Sequence, residues 1–462
     1  MPLPPDIERV LVIGLGKVTG RAVAEALLEQ GLEVRVTEAA ETDDHLRAAS
    51  DLSSRGVEVS FGPPSLDLVE WANLIVPSPG VPPANPLLAE ACSRGTRIWS
   101  EIELGWRLGR SPVLAVTGTN GKTTTTTLLA KVLEAGEIPS AAVGNIGFPL
   151  VRAATTLPPE TTLVCEVSSF QLAFIETFRP GVAIVLNVAD DHYDWHEGYD
   201  DYLRAKGRIT ENQTEDDLLV VAVDDPGCLR IAESSRATLA GFGLGPPADL
   251  RKQAEERLGR PLGPVAGAAS GRIVIDSGGQ PSEVAEVREI RMRGAHNVEN
   301  VLAALLAARW CGVSDAAFTR VARSFDNLPH RMSVVAEIDG VTYIDDSKAT
   351  NPHATLKAMT GLDRVVWIAG GRAKGLDLSA LRSIKPQLSG MVVMGEAASD
   401  LEKLFDDVPR EKADSVEDAV AVAARMARPG DTVLLSPACS SLDQYVDYAE
   451  RGRRFAEAVR SR

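Results

Sequence analysis

Cysteine is scarce and scattered in this chain. The 462 residues hold five, Cys92, Cys165, Cys228, Cys311 and Cys439, far apart and without a C-x-x-C pair. That excludes a disulfide framework and a zinc knuckle and fits a reducing compartment, with the thiols read as small apolar residues. Long apolar runs are missing as well: no stretch approaches the roughly 20 residues that span a bilayer. The opening Met-Pro-Leu-Pro-Pro-Asp6 lacks the charged and apolar regions of a signal peptide. The expectation is therefore a cytoplasmic chain with no membrane insertion. Positive charge is in deficit, with 48 Lys and Arg against 64 Asp and Glu and a formal net charge of −16. That balance disfavours nonspecific nucleic-acid binding. A phosphorylated ligand would have to be met by local donors, and Lys122, Arg331, Lys348, Arg372 and Lys374 all stand in Gly-, Asp- or Thr-rich turns. No repeat or low-complexity array appears, and the length suggests about three domains.

What is present is organised around Val113-Leu-Ala-Val-Thr117-Gly118-Thr119-Asn120-Gly121-Lys122-Thr123. An apolar run of strand length ends in a glycine-flanked turn, and a helical period begins by Leu128. Gly118 and Gly121 let the backbone bend and turn its N–H groups toward phosphate oxygens at the positive end of a helix. Lys122 supplies a point charge for the β- and γ-phosphates, and the hydroxyl of Thr123 or Thr124 can ligate a nucleotide-bound Mg²⁺. Val116 stands where the full-length phosphate loop has glycine, so this is a shortened form. The bland alternative is a helix N-terminus rich in capping threonines. It leaves Lys122 at the positive end of a helix, where its charge is unfavourable without an anion.

The first unit opens with Val10 to Ile13, then Gly14-Leu-Gly16-Lys-Val-Thr19-Gly20, a helix through Gln30 and a second strand ending at Thr37 and Glu38. The spacing is one residue longer than the dinucleotide fingerprint. A nicotinamide dehydrogenase, another bound nucleotide and plain helix–strand packing all remain readings of it. A strand at Leu74 to Val76 meets Pro77-Ser78-Pro79-Gly80, either a ligand-edge loop or a proline-rich connection. Around Gly109-Arg-Ser-Pro112 a loop leads into the second unit. There Gly144-Asn145, Glu166-Val-Ser168 and Asn187 follow apolar runs, as the C-terminal ends of buried parallel strands do. Glu166 is a candidate Mg²⁺ ligand or a solvated strand end. His192 and His196 lie four apart, but no third ligand has zinc spacing, and an oxygen-rich Mg²⁺ neighbourhood suits the segment better. Residues 240–285 read as turn-rich and peripheral, with one strand at Arg272 to Ile275. Asn297 and Asn300 present amides to a base or cap the helix that follows, and capping is the plainer reading. Lys206 by itself reads as a solvated helix residue. The third unit has strands at Val341, Arg364, Gly390 and Thr432, each ending in a polar or glycine loop. These features give an α/β fold of three Rossmann-like or P-loop domains with mostly parallel sheets, divided as 1–109, 110–328 and 329–462.

In order along the chain, these motifs resemble the bacterial Mur ligases. They are GTNGKTTT at 118–125, Glu166-Val-Ser-Ser-Phe-Gln-Leu172, Asp191-His192-x-Asp194, Lys206, His296-Asn297-x-x-Asn300, Pro329-His330-Arg331, Asp346-Ser-Lys348-Ala-Thr350 and Leu435-Ser-Pro-Ala-Cys-x-Ser441. The second and last point to the branch that adds D-glutamate. The resemblance covers nearly the whole length. It implies an ATP-driven amide bond between UDP-N-acetylmuramoyl-L-alanine and D-glutamate through an acyl phosphate, a step in peptidoglycan precursor synthesis, carried out by a monomer. Lys122, Glu166, His192, Lys206 and Lys348 are its catalytic set. One Mg²⁺ is then held by Thr123 and Glu166, and a second by His192 and a carbamylated Lys206. ATP would meet Gly118, Thr119, Asn120, Gly121, Lys122, Thr123, Thr124, Asn297, Asn300, Arg331, Asp346 and Lys348. The UDP substrate would meet Gly14, Gly16, Thr19, Gly20, Thr37, Glu38, Ser78, Gly80, Asn145 and Ser168. Thr350, Lys374, Ser441 and Tyr448 would line the D-glutamate pocket. The chain departs from the family pattern in its lengthened Gly14–Gly20 loop, in Tyr448 for a usual phenylalanine and in Ser333 for a usual glutamate.

Overall fold

The computed structural model describes residues 3–16, 18–292 and 294–462. Met1 and Pro2 of the opening segment and Lys17 of the first glycine loop lie outside them. Backbone contacts divide the chain into two compact units, one of residues 1–188, 200–289 and 299–323, the other of 189–199, 290–298 and 324–462.

The first unit carries two sheets. Strands β1 (Arg9–Ile13), β2 (Glu33–Glu38), β3 (Glu58–Phe61), β4 (Leu74–Pro77) and β5 (Arg97–Ile98) form a parallel sheet in the order β3-β2-β1-β4-β5. The order reverses beside β1, so its C-terminal end faces a crevice where open α/β sheets take ligands. The second sheet contains β6 (Val113–Thr117), β7 (Ser140–Gly144), β8 (Thr162–Glu166), β9 (Val182–Val185), β10 (Leu218–Ala222), β11 (Thr238–Gly243), β12 (Val265–Ala269), β13 (Arg272–Asp276) and β14 (Pro281–Glu286). Its order is β14-β13-β12-β11-β10-β9-β6-β8-β7, parallel from β7 through β12 and closed by the antiparallel β13 and β14. Every residue of β6, β8, β9 and β10 is buried, which is why they read as unbroken apolar runs and not as alternating ones.

Residues 240–285 are therefore not a peripheral loop region with one strand. They hold most of β11, the helix Pro247–Leu258 and the strands β12, β13 and part of β14. The sequence hid them because β12 is Val-Ala-Gly-Ala-Ala, which has little β propensity of its own and takes its pairing from β11 and β13.

The second unit builds one sheet from β15 (Ser333–Ile338), β16 (Val341–Asp345), β17 (Val365–Gly370), β18 (Leu388–Met394), β19 (Arg410–Lys412) and β20 (Thr432–Leu435), ordered β15-β16-β20-β17-β18-β19. All pairs are parallel except β15 with β16. Trp367 on β17 is fully buried and meets the Phe405 ring edge-on, anchoring one face of this sheet. Among the described residues no helix is long and apolar enough to cross a membrane.

Candidate functional site

The phosphate loop forms as its glycines require. Gly118 has φ of 150° and Gly121 has φ of 88°, and the helix Lys122–Ala135 starts directly after Gly121 with no side-chain cap. The capping reading of the threonines fails, because Thr123, Thr124, Thr125 and Thr126 lie inside the helix. The loop is pinned by the end of the neighbouring strand: the Thr119 and Asn120 amides donate to the Asn187 carbonyl and Oδ1, each at 2.9 Å. Asn187 Nδ2 donates back to the Asn120 carbonyl at 3.1 Å. Lys122 Nζ folds over the turn onto the Gly118 and Thr119 carbonyls at 2.8 and 3.0 Å. A Cβ on Gly121 would stand 2.3 Å from Asn300 Oδ1, so glycine is required there twice over, for φ and for space.

Glu166 ends β8, paired in register with Val116 of β6, so its carboxylate lies on the strand next to the loop. It is 3% exposed. Asn145 Nδ2 donates to Oε1 at 3.0 Å, and Oε2 is buried without a hydrogen-bond partner among the described residues. Such an orphaned anionic oxygen is what a hard cation takes as a ligand. Lys206 is buried, not solvated: it is 1% exposed, donates to the Gly118 carbonyl at 2.9 Å, and lies 4.4 Å from the Tyr202 ring centroid. Tyr202 in turn holds Thr119 through its hydroxyl at 3.2 Å.

At the end of β1 the Gly14 amide donates to the Thr37 carbonyl at 2.8 Å, and Ser78 Oγ donates to the Gly14 carbonyl at 2.6 Å. Gly20, in the first turn of the helix Thr19–Glu29, lies so close to the strand end that a Cβ would stand 2.0 Å from the Gly14 carbonyl oxygen. Glu38 accepts from the Leu15 and Ala40 amides at 2.8 and 3.0 Å. Burial alone would raise its carboxyl, but these amides hold it below the ordinary value. Thr19 opens the helix Thr19–Glu29, and Gly80 is exposed with open space around it. Ser168 caps the short helix Ser169–Leu172 in a reciprocal box with Gln171.

The second unit gathers its own group. Asp346 follows β16, accepting from Ser436 Oγ at 2.9 Å and the Met332 amide at 3.1 Å; burial pushes its carboxyl up to about 7. Lys348 Nζ lies 3.9 Å from the Tyr448 ring centroid, a cation–π contact that phenylalanine would also provide. Ser441 is buried and Thr350 half-buried in adjoining loops. Lys374, at φ of 57°, is paired with Asp191, which also accepts from Asn351 Nδ2 at 2.9 Å. Burial works against the Asp191 carboxylate, but Lys374 and His192 outweigh it and bring it to about 2. His192 has φ of 59°, with Nε2 3.7 Å from Asp191 Oδ2. Arg372 forks onto Glu396 at 2.9 and 3.1 Å. Arg372 and Lys374 are thus each answered by a carboxylate of their own unit.

Asn297 and Asn300 are not caps, because the helix begins at Ala295. Asn297 Nδ2 donates to Asn327 Oδ1 at 3.2 Å, and Asn300 faces Gly121 as described. Ser333 bonds back to the Leu328 carbonyl at 3.2 Å, and nothing in the structure explains its replacing glutamate. Cys165, Cys228 and Cys439 are buried, but Cys92 is exposed, so it is not packed as a small apolar residue.

Three family profiles match the chain: Mur ligase MurD-like N-terminal domain at residues 8–100, Mur ligase middle domain at 116–308, and Mur ligase glutamate ligase domain at 330–439. A UDP-N-acetylmuramoylalanine–D-glutamate ligase of Frankia casuarinae is 43% identical over 459 residues, covering 98% of this chain and 94% of that one. One from Thermobifida fusca is 39% identical over 471 residues, covering 98% of both. The chain belongs to the Mur ligase family. The fold agrees: MurF from Acinetobacter baumannii superposes with a TM-score of 0.61 at 15% identity, covering 98% of this chain and 94% of that one.

Several residues of this Mur ligase escaped sequence reasoning. Asn187 was visible only as the polar end of an apolar run, yet it pins Thr119 and Asn120 of the phosphate loop through three hydrogen bonds. Arg451 is fully buried and donates to the carbonyls of Ser347 and Cys439 at 2.9 and 3.2 Å and to Ser347 Oγ at 3.0 Å, tying two loops of the second unit together. Glu101 opens the helix Glu101–Leu108. It is buried, accepting from the Val151 amide at 2.7 Å and from Gln171 Nε2 at 3.2 Å, so it supports the residue that boxes Ser168. Burial pushes its carboxyl up to about 7 from 4.5. Between those values the unfolded chain releases the proton and the folded one keeps it, so stability falls as pH rises and levels off above about 7. Asp346 acts in the same direction. Urea midpoints measured from pH 5 to 8 are expected to decline, with a shallower decline in Glu101→Gln; an unchanged slope in the variant would remove this account of Glu101.

Proposed function

We propose that this Mur ligase joins D-glutamate to UDP-N-acetylmuramoyl-L-alanine at the expense of ATP, giving ADP and phosphate in peptidoglycan precursor synthesis. The observation that carries the reading is the Gly118–Lys122 turn at a helix N-terminus beside the orphaned Glu166 oxygen. The D-glutamate ligases similar over 98% of the chain support the choice of amino acid.

The chemistry follows from the poor electrophilicity of a carboxylate. The alanine carboxylate attacks the γ-phosphorus and the bond to the β-phosphate oxygen breaks, leaving ADP and an acyl phosphate. The D-glutamate amine then attacks the carbonyl carbon, sheds a proton, and the tetrahedral intermediate expels phosphate to leave the amide. Lys122 and the amides of the turn at Gly121 and the first turn of the helix Lys122–Ala135 stabilise charge growing on the phosphoryl oxygens, as fixed donors do without reorganising, while Gly118, Thr119 and Asn120 shape the loop, the last two through their amides on Asn187. Thr123, Thr124, Asn297, Asn300, Arg331, Asp346 and Lys348 serve the nucleotide. The Tyr448 face keeps the Lys348 ammonium in place. Gly14, Gly16, Thr19, Gly20, Thr37, Glu38, Ser78, Gly80, Asn145 and Ser168 serve the UDP substrate. Glu38, held by the chain's own amides, orders the loop from behind. Thr350, Lys374, Ser441 and Tyr448 receive D-glutamate, with Asp191 orienting the Lys374 ammonium.

Thr123, Glu166, His192 and a carbamylated Lys206 are the proposed Mg²⁺ ligands. The unpartnered Glu166 oxygen is the feature here that suits a hard cation. Mg²⁺, when bound, neutralises phosphate charge. The divisions 1–109, 110–328 and 329–462 are the proposed substrate, ATP and amino-acid domains, and the enzyme is proposed to act as a cytoplasmic monomer.

The test is phosphate release from ATP with each co-substrate omitted in turn. Release is expected only with UDP-N-acetylmuramoyl-L-alanine and D-glutamate together. Equal release with a diamino acid, or at full rate with neither co-substrate, contradicts the reading.

A further inference from the structure

The Pro329-His330-Arg331 motif supplies an arginine to the proposed nucleotide site, and its histidine is left without a task. His330 and Met332, on either side of that arginine, both stand in the left-handed region, with φ of 63° and 49°. Residues other than glycine are held there at a cost, and they gather where a side chain has to be aimed. The His330 ring is aimed by two further elements of its unit. Its Nδ1 lies 2.6 Å from Asp345 Oδ2 at the end of β16, and the other oxygen of that buried carboxylate accepts from the Ser347 amide at 2.9 Å. The ring also meets Tyr448, which opens the helix Tyr448–Arg460, in a T-shape with centroids 6.3 Å apart. One turn along that helix a Cβ on Gly452 would stand 2.1 Å from Nδ1. Glycine weakens a helix interior, and here it opens the space that the imidazole fills.

This arrangement also settles which nitrogen is basic. A carboxylate only accepts, so Nδ1 carries the proton and Nε2 the lone pair. Nε2 has no hydrogen-bond partner among the described residues and is not buried, and the side chain keeps 14% of its surface exposed. The lone pair is therefore open to a ligand. The proposed reaction needs such a group, because an amino acid at neutral pH brings its nitrogen as an ammonium with no pair to attack with. Other candidates in the same unit are spoken for. His192 is a proposed Mg²⁺ ligand, burial beside Lys357 and Arg331 brings His296 down to about 4, and Lys348 and Lys374 are themselves cations.

Resting on the ligase reading, we infer that His330 is the proton acceptor for D-glutamate and that Asp345 is its positioning residue. One proton passes from the ammonium to Nε2, and the freed electron pair forms the bond to the carbonyl carbon of the acyl phosphate. A second proton goes to the phosphate as it departs and the amide forms. The imidazolium left behind is balanced by the Asp345 carboxylate and gives its proton to solvent. Tyr448, with the Lys348 ammonium 3.9 Å from its ring centroid, joins this imidazole to the pocket proposed for D-glutamate.

Hydroxylamine separates proton removal from the steps before it, since its nitrogen is uncharged at neutral pH and traps an acyl phosphate as a hydroxamate without a base. The full-length protein is supplied with ATP, UDP-N-acetylmuramoyl-L-alanine and either amine. In His330→Ala, amide formation with D-glutamate is expected to fall by about 10² to 10³, while hydroxamate forms at close to the wild-type rate. Added imidazole is expected to restore amide formation in that variant, and pyrazole, of the same shape but a far weaker base, is not. Asp345→Asn keeps an acceptor for Nδ1 but loses the charge, so amide formation falls about tenfold and hydroxamate formation holds. Parallel loss of both products in His330→Ala, an unchanged amide rate, or no rescue by imidazole beyond that by pyrazole overturns the assignment. A wild type that couples neither amine contradicts the ligase reading itself, and the assignment falls with it.

Discussion

Replacing Lys122 with alanine is expected to lower kcat by about 10² to 10³ while leaving the protein folded. The size of the loss follows from removing one fixed donor aimed at developing transition-state charge, which typically costs roughly 3–4 kcal/mol. The stability change is small because opposed effects meet at this residue. Two hydrogen bonds to the Gly118 and Thr119 carbonyls are lost, each of about 1 kcal/mol net. A cation at the positive end of the helix Lys122–Ala135 is removed as well, which returns up to about 1 kcal/mol. Steady-state phosphate release together with a thermal melt separates the two quantities. A variant with near-native kcat would mean that Lys122 merely braces the turn; a variant that unfolds would mean that the two carbonyl contacts outweigh the helix-end penalty.

That separation also explains why this part of the site was legible beforehand. A change from strand period to helix period across two glycines is local information, and it placed β6, the turn and the start of the helix within a residue or two. The ends of β8 and β9 were legible for the same reason, since buried parallel strands stay apolar until they emerge at the ligand edge. Residues whose roles depend on partners far along the chain were not. Lys206 reads as a helix-surface lysine, and it is buried because the Gly118 carbonyl, 88 positions away, accepts from it. Glu101 is buried because the Val151 amide and Gln171 side chain come to it from other elements. The Asn297 cap reading failed because the helix starts at Ala295 and not at Val298, a shift of three residues that no local signal fixes. β12 was missed because its alanines and glycine carry no strand preference.

Lys206→Ala is expected to reduce activity by a factor of about 10² or more, and to recover part of it when formate or acetate is supplied. The expectation rests on the proposed carbamate. A neutral amine that adds CO₂ forms an N–C bond and releases a proton, turning a side chain that cannot ligate a cation into one that ends in a carboxylate. Alanine removes that carboxylate and leaves a void at a position only 1% exposed, so a small carboxylate has both a space and a charge to replace. The structural alternative makes a different prediction. If the ammonium acts only by holding the Gly118 carbonyl at 2.9 Å, its loss costs about 1–3 kcal/mol in stability and no added anion restores activity. Lys206→Arg, which keeps a donor but cannot form the carbamate, should then remain active, whereas the carbamate reading requires it to fail. A ¹³C resonance of a lysine carbamate, raised by labelled bicarbonate in the wild type and absent from Lys206→Ala, reads the modification without reference to turnover. Anion rescue with that resonance supports the carbamate; no rescue, no resonance and an active arginine variant leave Lys206 as a brace for the phosphate loop.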